Sequence, residues 1–261
     1  MSQPGAVLVE ELTWPQLAKL IEDGERLCLL PIGALEQHGR HLPVVTDTLI
    51  AGAICAAVSA RTAVPVLPVL WLTSSQAHTK KWPGTFAIPP RLLIEVVVHV
   101  ADWVHASGFT KLLMVNAHGG NDAALRVAVD EIRCKGQLQI GLVTWSELTP
   151  SILRSVTSDG EDVHANNAET ALMMHLRPEL IDTPEIADDP DRTIGRVFRY
   201  TIAQTSSEGL TGSPSLATAS AGAQLFDEIV AALAETVAAA RSEELPVLPR
   251  TSGRGSKEVK G

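Results

Sequence analysis

Arg26-Leu27-Cys28-Leu29-Leu30-Pro31-Ile32-Gly33 is an apolar run closed by a glycine, and Ala34-Leu35-Glu36-Gln37-His38-Gly39-Arg40-His41 follows it directly. A half-exposed strand alternates polar and apolar residues. A short run that is apolar at nearly every position reads instead as a strand buried on both faces of a parallel sheet. In open α/β sheets the ligand site lies just past the carboxyl ends of the strands. The polar segment after Gly33 is therefore where chemistry is expected.

The same grammar extends outward. Leu12-Thr13-Trp14-Pro15 opens a helix running to about Asp23, with Thr13 as its cap and proline where the first turn needs no donor. Helical spacing over 48–61 leads to a second buried strand over 64–72. A helix from Pro89-Pro90 to about Ser107 stops at Gly108, and strands are expected over 111–116 and 139–145. Further helices are expected over 122–134, 167–176 and 221–242, the last with Leu225, Ile229 and Leu233 on one face. Strands alternating with helices make a parallel sheet covered on both faces. Residues 1–245 read as one domain, 182–199 as a long surface loop or subunit contact, and 246–261 as a disordered tail.

Composition narrows the function. The chain has 261 residues, 45% of them hydrophobic, enough for a sizeable core, and a net charge of −9, which argues against phosphate backbones and anionic membranes as partners. Cys28, Cys55 and Cys134 are widely spaced, so neither a disulfide framework nor a cysteine zinc site is expected. Met1-Ser2-Gln3-Pro4-Gly5 has no signal-peptide pattern, and no apolar run is long enough for a membrane span. A soluble cytoplasmic protein is expected.

Strand ends collect the reactive side chains. Glu36, His38, His41 and Asp47 follow the first strand; Ser74, Ser75, Gln76 and His78 the second; Asn116, His118 and Asn121 the third. His164 and Glu169 come after the fourth. His38, His41, His78, His118 and His164 thus share one sheet edge, whereas His99, His105 and His175 lie inside helices and are expected to be packing or solvated residues. Carboxylates gathered behind buried strands need compensating positive charge, and a divalent metal supplies it. Mixed imidazole and carboxylate ligation without thiolate suits zinc, manganese or iron(II). Glu36 and His38, two apart on an extended segment, point the same way, and Asp47 has two oxygens with which to bridge two ions. Gly119 and Gly120 are expected to let backbone approach the site closely.

At these residues the chain resembles the creatininase (creatinine amidohydrolase) family of metal-dependent amidohydrolases. The resemblance rests on LPIGALEQHGRHLPVVTDT (30–48), 75–85 with Pro83-Gly84-Thr85, VNAHGGN (115–121) and VHANNAETALM (163–173). A weaker echo is Gly209-Leu210-Thr211-Gly212. It spans about 11–241 and implies a three-layer α/β/α sandwich, two divalent metals per subunit and a homo-oligomer, often a hexamer. It implies Glu36, His38, Asp47, His118 and Glu169 as metal ligands, Asp47 as the bridge, and His164 as the catalytic proton shuttle. Two positions depart from the enzymes that open creatinine: Gly120 stands where they carry an acidic residue, and Val163 where they carry a glutamate.

The expected reaction is attack of a metal-activated hydroxide on a small, cyclic amide, lactam or formamide, with His164 giving a proton to the departing nitrogen. His41, His78, Gly119, Gly120 and Asn121 are expected to bind substrate or support the ligands. Trp71, Trp82 and Trp145 lie near strand ends as candidate roofing residues, and Arg40, Lys80 and Lys81 are the candidate contacts for a nucleotide. Within the family the alternatives are deformylation of a formamidopyrimidine nucleotide, cleavage of a ribosomally made cofactor peptide, and ring opening of a cyclic inositol ketone. Outside it stand a binuclear phosphoesterase, whose paired motifs are absent here, and a non-catalytic oligomeric binding protein.

Overall fold

The computed structural model describes residues 5–78 and 80–246. Residues 247–261, nearly all of the expected tail, lie outside them.

Five parallel strands form one sheet in the order β1-β3-β2-β4-β5. They are β1 (Val7–Leu8), β2 (Leu27–Ile32), β3 (Pro65–Val66), β4 (Lys111–Asn116) and β5 (Gln139–Thr144). Every residue of β2 is buried, as the unbroken apolar run required. Leu27 and Leu29 point into one core, and Cys28, Leu30 and Ile32 into the other. Each fully buried leucine or isoleucine contributes about 1.5–3 kcal/mol, so β2 anchors both faces at once.

The helices are α1 (Trp14–Glu22), α2 (Thr46–Thr62), α3 (Pro90–Ala106), α4 (Asp122–Lys135), α5 (Pro150–Val156), α6 (Asn167–Leu176), α7 (Ile202–Thr205) and α8 (Ala219–Ser242). Residues of α2, α5, α6 and α8 fill the core on one face; residues of α1, α3 and α4 pack on the other. This is the three-layer α/β/α sandwich. Local chemistry sets several boundaries. Gln16 Oε1 accepts from both the backbone N–H and the hydroxyl of Thr13, fixing the start of α1. Asn166 and Thr218 accept from the third residues of α6 and α8.

The strand expected over 64–72 is much shorter. Regular pairing stops after Val66, and only an isolated bridge, Ile32 to Leu70, continues it. Pro31 has no N–H to donate to that side of β2, and Pro68 lacks one within the segment itself. The rungs that survive past Val66 are Leu67 N–H to Leu29 O at 2.9 Å, Leu70 N–H to Pro31 O at 3.0 Å and Gly33 N–H to Leu70 O at 3.0 Å. The edge strand β1 and the short helices α5 and α7 were not foreseen; two to seven residues carry too little periodicity to announce themselves.

β2, β4 and β5 are in register and end together at Ile32, Asn116 and Thr144. After β2 the chain passes to β3 on one side, then crosses to β4 on the other. The crevice at that reversal is where the polar segments meet.

Ser59, fully buried in α2, closes the far edge: its hydroxyl donates to Val64 O at 2.6 Å and accepts from Val7 N at 2.8 Å. Ser59→Ala strands a half-buried donor and a buried acceptor, and should lower unfolding free energy by about 1–3 kcal/mol in a denaturant titration. An unchanged midpoint would show that β1 adds nothing.

Candidate metal centre

Glu36, Gln37 and His38 leave β2; Asp47 sits in the first turn of α2; His118 follows β4. His78 ends a short 3-10 turn, Gln76–His78. Asn166 caps α6 and so places Glu169 in its first turn. Ala165, just before, has φ +49°, a conformation that costs a non-glycine residue about 1–2 kcal/mol. It brings the Ala165 N–H to Glu169 Oε2 at 2.6 Å, and this bond to a buried carboxylate offsets the strain.

The side chains converge on one buried point. His38 Nε2 is 3.1 Å from Asp47 Oδ1 and 3.7 Å from Glu169 Oε2. His118 Nδ1 is 3.2 Å from Glu36 Oε1 and 3.3 Å from Asp47 Oδ2. His78 Nε2 lies 3.3 Å from Glu36 Oε2, and His164 Nδ1 3.5 Å from Glu36 Oε1. Three sets have ligand atoms within 4.8 Å of one another: Glu36, Asp47 and His118; His38, His164 and Glu169; Glu36, His78 and His164. Despite this crowding, Glu36 Oε2, His38 Nε2 and Asp47 Oδ2 make no aligned hydrogen bond. Buried polar atoms seldom go unpaired, and these face one another as ligands face a cation.

Backbone carbonyls aim two of the rings. A carbonyl oxygen only accepts, so His38 Nδ1, 3.2 Å from Glu36 O, carries its proton there and turns the Nε2 lone pair toward Asp47. His118 Nε2 donates to Ser74 O at 3.0 Å and turns the Nδ1 lone pair toward Glu36 and Asp47.

Electrostatics agree. Burial alone would lower His38, but Asp47, Glu169 and Glu36 outweigh it and raise it to about 10. His118 is likewise raised well above its ordinary value against the cost of burial, chiefly by Glu36 and Asp47. Burial lifts Glu169 to about 7, with His38 opposing. Burial opposes ionisation of Asp47, yet His38 and His118 hold it below the carboxylate range. Without a metal, each ring therefore takes a second proton, on His38 Nε2 and His118 Nδ1, where a divalent cation would replace it. Burial keeps His78 near 4 and His164 well below its usual value, so both are neutral at physiological pH.

All eleven candidate residues of the sequence cluster lie at this edge, at different depths. His41 is one layer out: its Nε2 meets Thr170 Oγ1 at 2.9 Å, and burial followed by the charge of His38 lowers it to about 4. Asn121 is fully buried and structural, accepting from Ser74 N and donating to Gly33 O. Gly119 departs from expectation: a Cβ there would meet nothing within 4 Å, because the residue faces the open cavity. The close approach is at Gly120, where a Cβ would stand 2.3 Å from His118 Nε2 and 2.9 Å from Ser74 O. A side chain at 120 would displace the His118 ring. His99 and His175 are exposed and His105 half-buried, away from the cluster, as expected of helix residues.

A cavity of about 540 Å³ opens beside the cluster, within the usual range for small-molecule sites. Its charged lining beyond the cluster is Asp122, Glu147, Glu161 and Asp162 against a single cation, Arg199. Trp145 lines it; Trp71 and Trp82 do not. Arg40 pairs with Glu185 instead, and Lys81 donates to Ser206 O and lies over Trp82.

Sequence reasoning passed over Asp189, in the stretch 182–199 expected to be a surface loop or subunit contact. Only 2% exposed, its Oδ2 accepts from Ser206 Oγ and Ser207 N at 2.8 Å and from Glu208 N at 3.2 Å. Ser206 Oγ in turn accepts from Gly209 N and Leu210 N. Gly209 O accepts from Gly39 N, and Thr211 N donates to His164 O, so the loop braces the site. Its richness in Asp, Pro and Arg was its only signal.

The family model described as creatinine amidohydrolase matches residues 10–237. The chain belongs to the creatininase family. It is 32% identical over 235 residues to a mycofactocin precursor peptide peptidase of Mycobacterium ulcerans, covering 84% of this chain and 82% of that one. It is 27% identical over 259 residues to a creatinine amidohydrolase of Pseudomonas putida, covering 92% and 98%. Solved creatininase structures, one a manganese form, one a zinc–zinc point mutant and one that mutant with creatine, each give a TM-score of 0.76 at 26% identity, covering 89% of this chain and 97% of theirs. This creatininase-family chain is therefore a hydrolase, and its close set of imidazoles and carboxylates coincides with a fold in which solved relatives carry zinc or manganese.

Two outcomes follow from this electrostatic arrangement. A protonated His38 must lose its proton before it can bind a metal, so adding zinc to metal-free protein near pH ~8 should acidify a weakly buffered solution. Uptake without proton release would contradict the raised His38. Asp189 behaves oppositely. Burial opposes its charge, but Ser206, Arg192 and two backbone donors hold it at about 2. Its stabilisation is present above its unfolded value of ~3.9 and is lost as pH falls toward that lower value. Asp189→Ala should cost about 3 kcal/mol at neutral pH and flatten the acid limb of the stability profile between those values.

Proposed function

We propose that this chain hydrolyses a carbon–nitrogen bond of a small neutral or cationic amide, lactam or formamide, using two divalent cations held by Glu36, His38, Asp47, His118 and Glu169. The supporting observation is the pair of lone pairs on His38 and His118, turned by backbone carbonyls toward opposite oxygens of one buried carboxylate, Asp47. Asp47, between His38 and His118, would be shared by both ions, with Glu169 beside His38 and Glu36 beside His118. Zinc fits these donors best, with manganese and iron(II) as alternatives.

Divalent ions bound there acidify water and polarise a carbonyl oxygen. The residues around them position and exclude. Water adds to the carbonyl carbon, the carbon–nitrogen bond breaks, and the water's proton ends on the departing nitrogen. His164, the catalytic residue of this reading, faces the same space through Nδ1 and meets the charge that develops on the substrate. The four carboxylates that line the cavity beyond the cluster repel phosphate, which disfavours a nucleotide.

A second reading is cleavage at a peptide end. It is favoured by the 32% identity to a peptide peptidase and by the exposed Val197, Phe198 and Tyr200 beside the cavity mouth, where Arg199 and Tyr200 line it. The protein is read as one domain over 1–245, cytoplasmic and homo-oligomeric. The apolar groove on α3, with Leu92 and the 75% exposed Trp103, supports self-association.

Metal analysis and a substrate panel test this. Purified protein should carry two divalent ions per chain, lose activity on chelation and regain it with zinc or manganese. Asp47→Ala should lower kcat by at least ~10³-fold, about 4 kcal/mol, while remaining folded. The panel is creatinine, hydantoin, a formamidopyrimidine nucleotide, a cyclic inositol ketone and short peptides. Turnover that survives chelation, or of the nucleotide alone, would overturn the proposal.

A further inference from the structure

Gln37 lies between the two metal-site residues Glu36 and His38, is 4% exposed, and has no part in the scheme above. Its amide orientation is fixed by a neighbour that has only one option. The backbone N–H of Gly39 can only donate, and the atom it meets, at 3.2 Å, is Gln37 Oε1. Gly209 crowds the same oxygen: a Cβ on residue 209 would stand 2.5 Å from it. The amide nitrogen must therefore face the other way. There it meets His164 Nε2 at 3.0 Å and, at a longer 3.4 Å, His78 Nδ1.

An amide NH2 has no lone pair to offer in this plane, so both imidazole nitrogens facing it must accept. His164 then carries its proton on Nδ1, the atom that faces the metal site 3.5 Å from Glu36 Oε1. His78 carries its proton on Nε2, 3.3 Å from Glu36 Oε2. Neither ring presents a lone pair to the cluster. This is the reverse of His38 and His118, which donate to carbonyls and present lone pairs. Two of the three sets of mutually close ligand atoms include His164, and one of those also includes His78. The hydrogen bonds of Gln37 remove both rings from the ligand set and leave Glu36, His38, Asp47, His118 and Glu169.

We propose that Gln37 is a positioning residue that locks His164 in the neutral Nδ1–H form, so that His164 acts on the substrate as a fixed N–H donor and not as a proton carrier. To carry a proton between water and the leaving nitrogen, His164 would need N–H on Nε2 whenever Nδ1 gave its proton away. That position is occupied by the Gln37 NH2. A neutral imidazole N–H aimed at a developing oxyanion stabilises it without any proton being transferred, and in a buried site such a donor carries a large share of catalysis. The role of His164 rests on the proposed hydrolysis; the tautomer lock rests on the Gln37 hydrogen bond, which acts against a weaker bond from the His164 ring to the backbone of Gly209.

The test reads the tautomer directly. Full-length protein labelled with 15N-histidine, zinc-free and zinc-loaded, should show His164 protonated on Nδ1 and bare on Nε2, the signals being assigned by their loss in His164→Asn. In Gln37→Glu the carboxylate accepts where the amide donated, so the proton should move to Nε2. Zinc content should stay at the wild-type value, and on the fastest-cleaved panel compound kcat should fall about 10²-fold with KM little changed. Gln37→Met, which neither donates nor accepts, should show both tautomers. Wild-type His164 protonated on Nε2 or on both nitrogens near neutral pH would overturn the proposal, as would Gln37→Glu with wild-type kcat. Should the variants fail to fold, the wild-type spectrum decides. Protein without zinc, or without turnover, would sink the hydrolysis reading and leave the tautomer result standing.

Discussion

Three carboxylates, Glu36, Asp47 and Glu169, are each no more than 4% exposed and share one pocket behind the sheet. Uncompensated, such a group would cost several kcal/mol per charge, and the chain around it is organised to supply or receive positive charge. Two histidines answer by rising in basicity, and the pocket's unpaired atoms face one another across it. The sheet makes this placement affordable, because three strands ending in register bring segments more than a hundred residues apart to the same edge.

Around those carboxylates, the imidazoles are sorted by what stands behind them. Carbonyl oxygens of Glu36 and Ser74 pull protons away from the centre on His38 and His118. The amide of Gln37 holds protons toward the centre on His78 and His164. Residues of one type thus acquire opposite functions from groups that never touch the substrate. The bracing continues outward through Gly209 to Ser206 and Asp189, so a segment whose one α-helix is the four-residue α7 supports the site from outside the sheet.

Much of this was legible in the residues, and the misses have physical causes. β2 was readable because burial on both faces leaves no polar position. β4 and α6 were readable to the residue, the second because Asn166 and Pro178 mark its ends. The stretch 64–72 was overread as one strand because hydrophobicity reports burial, whereas pairing needs donors that Pro31 and Pro68 lack. Gly119 and Gly120 looked alike in sequence, yet one faces a cavity and the other touches a ring. Gln37 was visible in the motif but silent, since an amide's role depends on which of its two ends faces which neighbour.

The sequence by itself determined the alternation of buried strands and helices, the edge at which the reactive groups would meet, and the identity of those groups. Periodicity and spacing are local properties, and a strand end is a local event. Only the tertiary structure decided which histidine shows a lone pair and which shows a proton, which glycine is crowded, and that Asp189 stands behind the site. Those outcomes depend on single atoms from distant segments coming within about 3 Å, a distance at which hydrogen-bond polarity, not residue type, fixes what a side chain can do.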